Sequence, residues 1–114
     1  MVEYPEPELD AIYSALAHPT RRELIGRLIG LADGGARVTE LSALFPVSLA
    51  AVSKHIRVLE DSGLVRRSIS GREHHLSLEP RPLQAASSWL EPYRRFWTDR
   101  LDLLEAQLRK GPSA

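Results

Sequence analysis

The chain has 114 residues, a formal net charge of zero and no cysteine, so one domain is expected and disulfides and thiolate metal sites are excluded. A chain this short buries only a modest core, and part of its stability is expected to come from a partner subunit. The longest apolar run is too short to span a bilayer, and the acidic start MVEYPEPELD lacks the basic and apolar stretches of a signal peptide, so a cytoplasmic location without a membrane partner is expected.

Residues 1–7 are expected to form a flexible arm, followed by a single domain over 8–110. Leu9, Ile12, Tyr13 and Leu16 recur at helical spacing and predict a first helix over about 8–17. His18-Pro19 ends it, because the residue before a proline avoids the helical region. Thr20, with Glu23 three residues on, makes a capping box for a second helix. Its apolar face is Leu24, Ile25, Leu28, Ile29 and Leu31, and Asp33-Gly34-Gly35 is its stop. Thr39 is the expected cap of a short third helix, with Leu41, Leu44 and Phe45 inward and Pro46 stopping it. Ser48 caps a fourth helix over about 48–62, where Val52, Ile56 and Leu59 form one apolar stripe flanked by Ala51, His55 and Val58. Gly63 stands where a left-handed residue is wanted after that helix.

Residues 64–69 and 74–78 alternate as strands around Ser70-Gly71-Arg72-Glu73, which predicts a hairpin over about 64–78. A last helix over about 82–110 follows Pro80 and Pro82, with a kink or break expected near 89–92 at Pro92. The order of elements predicts a mainly α fold with a small β-hairpin (α+β): a winged helix-turn-helix with a further C-terminal helix.

Zero net charge is unusual for a protein that meets nucleic acid, but the charges are unevenly spread. Residues 1–20 carry Glu3, Glu6, Glu8 and Asp10 and no Lys or Arg, whereas 48–75 carry Lys54, Arg57, Arg66, Arg67 and Arg72 against Glu60, Asp61 and Glu73. With Val52, Ile56 and Leu59 turned inward, the opposite face of the fourth helix shows Leu49, Ala50, Ser53, Lys54 and Arg57. Small residues let a helix approach base edges, and Ser, Lys and Arg hydrogen-bond to bases or phosphate. The helix start at Ser48 offers free N–H groups to a phosphate. Ser48, Leu49, Ala50, Ser53, Lys54 and Arg57 are therefore the expected contacts to double-stranded DNA, with few phosphates neutralised and a modest salt dependence. Arg72, at the wing's glycine turn, is the expected minor-groove contact. Arg66 and Arg67 point to opposite faces of a strand, so at most one of them faces DNA. The bland alternatives are a solvated helix face and an ordinary turn arginine.

No catalytic triad pattern, phosphate loop or metal-ligand cluster is present, so an enzyme is not expected, nor a metal or cofactor. The second function compatible with this pattern is a winged-helix module that binds protein and not DNA. Among the four histidines, His18 reads as a cap or turn residue and His55 as a packing or phosphate-contact residue. His74 and His75 are adjacent on a strand and face opposite sides.

The last helix carries two apolar stripes: Leu83, Leu90, Trp97, Leu101, Leu104 and Leu108, and a second one of Trp89, Phe96 and Leu103. One stripe suffices to dock a helix on its own core; two, with both tryptophans, predict contact with a second subunit. The expected homodimer interface is Leu9, Ile12, Tyr13, Trp89, Tyr93, Phe96, Trp97, Leu101, Leu104 and Leu108, which would set two DNA-reading helices roughly 34 Å apart.

The segments AxAHPTRRELIGRL at 15–28 and SxxAVSKHIRVLEDSGLV at 48–65 resemble the ArsR-type winged-helix repressors, and WLEPYRRFWTDRLDLLEAQL at 89–108 is similar to a branch of that family without the usual metal sites. The resemblance covers about residues 8–108. It implies a homodimeric transcriptional regulator, usually a repressor, on an inverted-repeat operator. Metal-sensing members carry a cysteine pair on the third helix, where this chain has Glu40-Leu41-Ser42-Ala43-Leu44. Others bind zinc through Asp and His of the C-terminal helices, where this chain has Asp99, Asp102 and Glu105 without histidine. A metal switch of either kind is therefore not expected.

Overall fold

A computed structural model describes residues 6–31 and 35–111. In chain order it contains α1 (Glu6–Leu16), α2 (Pro19–Ile29), β1 (Gly35–Arg37), α3 (Val38–Ser42), α4 (Leu49–Asp61), β2 (Val65–Ser70), β3 (Glu73–Leu78) and α5 (Pro80–Lys110). The fold is the expected winged helix-turn-helix, with one strand more. β1 pairs antiparallel with β3 (Gly35 opposite Ser77, Ala36 opposite Leu76), so the wing is a three-stranded sheet in the order β1-β3-β2. No described helix is long and apolar enough to cross a membrane.

Several element boundaries follow a different local chemistry from the one expected. Glu6 and Pro7, assigned to the arm, begin α1; residues 1–5 lie outside the described residues. The capping box at Thr20 and Glu23 does not form. His18, extended at φ −109° and ψ 131° as a residue before proline must be, caps α2 and accepts the Thr20 N–H at Nδ1 (3.2 Å). Pro19 then occupies the first helical turn, where its missing N–H costs nothing. Glu23 is left to pair with Arg27 one turn on. α2 ends at Ile29 with Gly30 as its cap, ahead of the expected stop; Asp33 and Gly34 lie outside the described residues and Gly35 belongs to β1. Ile29 and Leu31 consequently face solvent, while Leu24, Ile25 and Leu28 are buried.

α3 begins directly after β1, with Arg37 and not Thr39 at its N-cap position. It closes through bonds three residues back, from the Leu44 N–H to the Leu41 carbonyl and from the Phe45 N–H to the Ser42 carbonyl. This tightening takes Leu44 out of helical register, so it is 52% exposed where an inward position was expected, and Phe45 alone closes the core there. Gly35 is required by close approach: a Cβ on it would lie 2.7 Å from the Leu76 carbonyl oxygen and the His75 ring.

One core unites these elements: Ala15, Leu24, Leu28, Leu41, Val52, Ile56, Leu59, Leu64 and Leu76 are all buried, with Ala86 of α5 beside them. Ile12, expected at the dimer interface, is only 1% exposed and belongs to this core. Its position one turn from Ala15 and Leu16 directs it at the chain's own helices, so it has no surface left for a partner. Tyr13 is likewise engaged, donating its hydroxyl to the Ala86 carbonyl (2.6 Å) and meeting the Trp89 ring edge-on.

α5 is continuous through Pro92 over 31 residues, without the expected break. The proline ring removes one backbone bond to the carbonyl four residues earlier, and that carbonyl belongs to Ser88, on an exposed stretch of the helix. Pro82, Leu83 and Ala86 dock α5 on the core, while every described residue from Ser87 onward is exposed. The overhang of 24 residues, from Ser87 to Lys110, is about 36 Å long.

Candidate nucleic-acid interface

The face opposite the core stripe of α4 is built from its N-cap onward. Ser48, extended at φ −65° and ψ 155°, accepts the Ala51 N–H at its Oγ (3.1 Å) and fixes the helix start. Val52, Ile56 and Leu59 are all buried, which fixes the helix rotation. Leu49, Ala50, Lys54 and Arg57 are then exposed and Ser53 half-buried. At the far end the helix stops at Gly63, whose φ of 79° reverses the chain into β2.

Ala50, Ser53, Lys54 and Arg57 form one wall of an open groove of about 630 Å³ between α4 and the wing. Ser48 and Leu49 lie beyond its end, at the helix start. Arg72 stands outside it at the exposed hairpin tip, beside Gly71, whose φ of 63° suits the first position of a two-residue hairpin turn. Lys54, Arg57 and Arg72 make no ion pair with any described residue.

The groove contains four side chains that were not among the expected site residues: Glu60, Asp61, Arg67 and His74. The Arg67 guanidinium donates to both carboxylate oxygens of Glu60 (2.7 and 3.3 Å) and to His74 Nδ1 (2.9 Å). Glu60 follows Arg57 by three residues and Ser53 by seven, a spacing that places it on the same helix face. Arg66, on the other side of β2, pairs with Glu79 (2.9 Å). Both strand arginines are thus engaged by carboxylates of the chain itself.

His55 flanks the core stripe and packs its ring 4.4 Å from that of His18, centroid to centroid. Arg21 donates to His55 Nδ1 at 3.2 Å while also donating to the Ala15 and Ser14 carbonyls. Burial first, then the neighbouring His18 and Arg21, push the His55 pKa below its ordinary value. His55 is therefore a packing residue that joins α4 to the α1–α2 corner. His74 and His75 face opposite sides of β3, His74 towards the groove and His75 towards Gly35. Among the described residues no three His, Asp or Glu side chains come together as a metal-ligand set.

The expected dimer residues fall into two groups. Ile12 and Tyr13 are taken up within the chain and Leu9 is half-buried, whereas Trp89, Tyr93, Phe96, Trp97, Leu101, Leu104 and Leu108 are exposed along α5. Trp89 and Tyr93 stack at 5.3 Å and the Arg100 guanidinium lies 4.8 Å over the Phe96 ring. These contacts organise the stripe without covering it.

Comparison with known proteins places this geometry. Residues 16–68 match a helix-turn-helix domain family. The chain is 39% identical over 92 residues to the HTH-type transcriptional regulator Rv2034 of Mycobacterium tuberculosis, covering 81% of this chain and 80% of that one. It superposes on the crystal structure of an ArsR family transcriptional regulator with a TM-score of 0.71 at 41% identity, covering 86% of this chain and 97% of that chain. A possible transcriptional regulator for arsenical resistance gives a TM-score of 0.67 at 36% identity, covering 85% of this chain and 95% of the other. The cationic α4 face, the wing beside it and these relatives agree: the chain belongs to the ArsR family of helix-turn-helix transcriptional regulators.

Proposed function

We propose that the chain is a homodimeric, sequence-specific repressor that inserts α4 into the DNA major groove and sets the wing near the adjacent minor groove. The observation that carries this reading is the α4 face itself. Ala50 and Ser53 leave room for close approach, and Lys54 and Arg57 stand beside them with no carboxylate partner among the described residues. Unpaired cations over a small-residue helix surface are what base edges and phosphates require. Ser48 and Leu49 contribute at the helix start and Arg72 at the wing tip.

The bare α5 stripe supports the second half of the proposal. A soluble monomer rarely leaves so many large apolar side chains in one row, and a two-fold pairing of α5 would cover them in both copies at once. Such a dimer meets two half-sites of an inverted repeat about one DNA turn apart. The family resemblance supports repression and a cytoplasmic site of action, and no cysteine is present to couple α3 to a soft metal.

Fluorescence anisotropy on duplex DNA from upstream of the chain's own gene tests the reading. Selective, salt-sensitive binding is expected. Absence of salt-sensitive, sequence-selective binding would instead favour a winged-helix protein-interaction module, the function to which zero net charge is better suited.

A further inference from the structure

Glu60 is misplaced for a simple DNA-binding groove. It shares a wall with Lys54 and Arg57, and a carboxylate there repels phosphate over the roughly 8 Å range of unscreened charge. Its geometry accounts for it. Glu60 lies in the last turn of α4, Arg67 on β2 and His74 on β3, so the three side chains span the helix and both hairpin strands. The Glu60–Arg67 contact is a two-point fork with both side chains about three-quarters covered, a pairing that fixes direction as well as distance. Arg67 and His74 are diagonal neighbours on one sheet face, since Arg67 stands opposite Leu76 and His74 opposite Ile69. Ser70, at the hairpin end, is three positions beyond Arg67, so the bridge sits at the wing's base and the tip extends beyond it.

We propose that the Glu60–Arg67–His74 bridge locks the wing to α4 at a fixed angle, which makes Glu60 and Arg67 positioning residues for DNA recognition and not DNA contacts. The proposal rests on the DNA-binding reading above. It assigns Arg67 a role within the protein, holding Arg72 at the distance from Lys54 and Arg57 that the two grooves demand. The repulsion Glu60 exerts is offset by the guanidinium it holds.

The test is operator binding by the full chain, read by anisotropy on a fluorescein-labelled duplex from upstream of its own gene, for Glu60→Gln, Arg67→Lys, Arg72→Ala and Glu60→Gln combined with Arg72→Ala. Charge alone predicts that Glu60→Gln tightens binding and that Arg67→Lys, which keeps its cation, changes nothing. The bridge predicts the reverse: both weaken binding, by about fivefold, because neither Gln nor Lys restores the charged fork. It also predicts that Arg72→Ala costs less in the Glu60→Gln background than alone, since an unlocked wing no longer delivers its tip. Glu60→Gln binding as tightly as the parent, with the Arg72→Ala penalty undiminished, would overturn the proposal. Amide hydrogen exchange of the free protein gives a measure independent of DNA. Glu60→Gln should speed exchange at 68–70 and 73–75 while leaving α2 and α4 unchanged, and no change in the hairpin would also overturn it. If the parent shows no selective DNA binding, the DNA-binding reading fails, and the lock is then judged by hydrogen exchange.

Discussion

Leu101→Ala isolates the α5 stripe from the rest of the molecule. Leu101 is 59% exposed and lies 15 residues beyond Ala86, the last core contact of its helix, so truncation removes nothing from the protomer's own core. Alanine is also a better helix former than leucine, so α5 itself is not weakened. Losing three carbons is worth about 2.4 kcal/mol for a fully buried side chain. Scaled to the exposed share of Leu101, the loss is about 1.4 kcal/mol per chain, and two-fold symmetry makes it about 3 kcal/mol per dimer, on the order of 100-fold in the dimerisation constant. Sedimentation equilibrium over a wide concentration range reads that shift, and thermal melting of the dilute, monomeric protein should show no matching loss. Ile12→Ala is the internal contrast: with Ile12 1% exposed, it should cost about 2–5 kcal/mol of folding stability through a core cavity. A Leu101→Ala protein that dimerises within threefold of the parent would refute the assignment of α5 as the dimer contact.

Lys54→Ala and Arg57→Ala should each weaken operator binding by about 1–3 kcal/mol for a base contact, or lower the salt slope by roughly 0.9 for a phosphate contact; unchanged affinity in both variants means the wrong face of α4 was assigned. Ser48→Ala removes the Oγ bond to the Ala51 N–H and should cost about 1 kcal/mol in urea unfolding, and an unchanged midpoint would show that the hydroxyl does not carry the cap. His55 has a folded pKa below its unfolded value, through burial, His18 and Arg21. The unfolded chain therefore takes up the proton first, and the stability His55 contributes is complete above the unfolded value near 6.5 and is lost as pH falls through the interval down to the folded value. His55→Gln should flatten that slope in melts run from pH 7 to pH 5, and an identical profile would place its origin elsewhere.

How much of this was legible in the sequence depended on whether a feature was local. α4 was readable because its cap, its stripe and its glycine stop all lie within one continuous stretch of chain. The start of α2 is ambiguous in the sequence because two local rules compete at residues 18–23, and the fixed φ of Pro19 outweighs a capping box. β1 carries only Gly-Ala-Arg, too short for alternation, and its partner lies some forty residues on at Ser77 and His75. Ile12 is ambiguous for a different reason: an apolar stripe reports that a face is covered, without distinguishing the chain's own core from a second copy. The bridging role of Glu60 was hidden in the same way. Its helix face could be counted from Arg57, but its partner is set by the reversal at Gly63, which brings Arg67 back beside the helix.

The arrangement of ion pairs resolves the conflict between a neutral chain and a DNA-binding face. Charge counted along the sequence treats every arginine alike, yet Arg66 and Arg67 are engaged by Glu79 and Glu60, and Arg37 by Glu40 and Glu73. Lys54, Arg57 and Arg72 have no such partner among the described residues, and they lie on the two elements that would face DNA. None of the α1 acids Glu6, Glu8 and Asp10 lines the groove beside α4, and salt confines their influence to about 8 Å. A protein so arranged has little non-specific attraction to duplex DNA, because that attraction scales with the phosphates it neutralises. On the proposed reading, its affinity would come from direct contacts at the helix and wing, made twice if two copies pair. Discrimination among sequences is the property that such an arrangement favours over tight binding to any DNA.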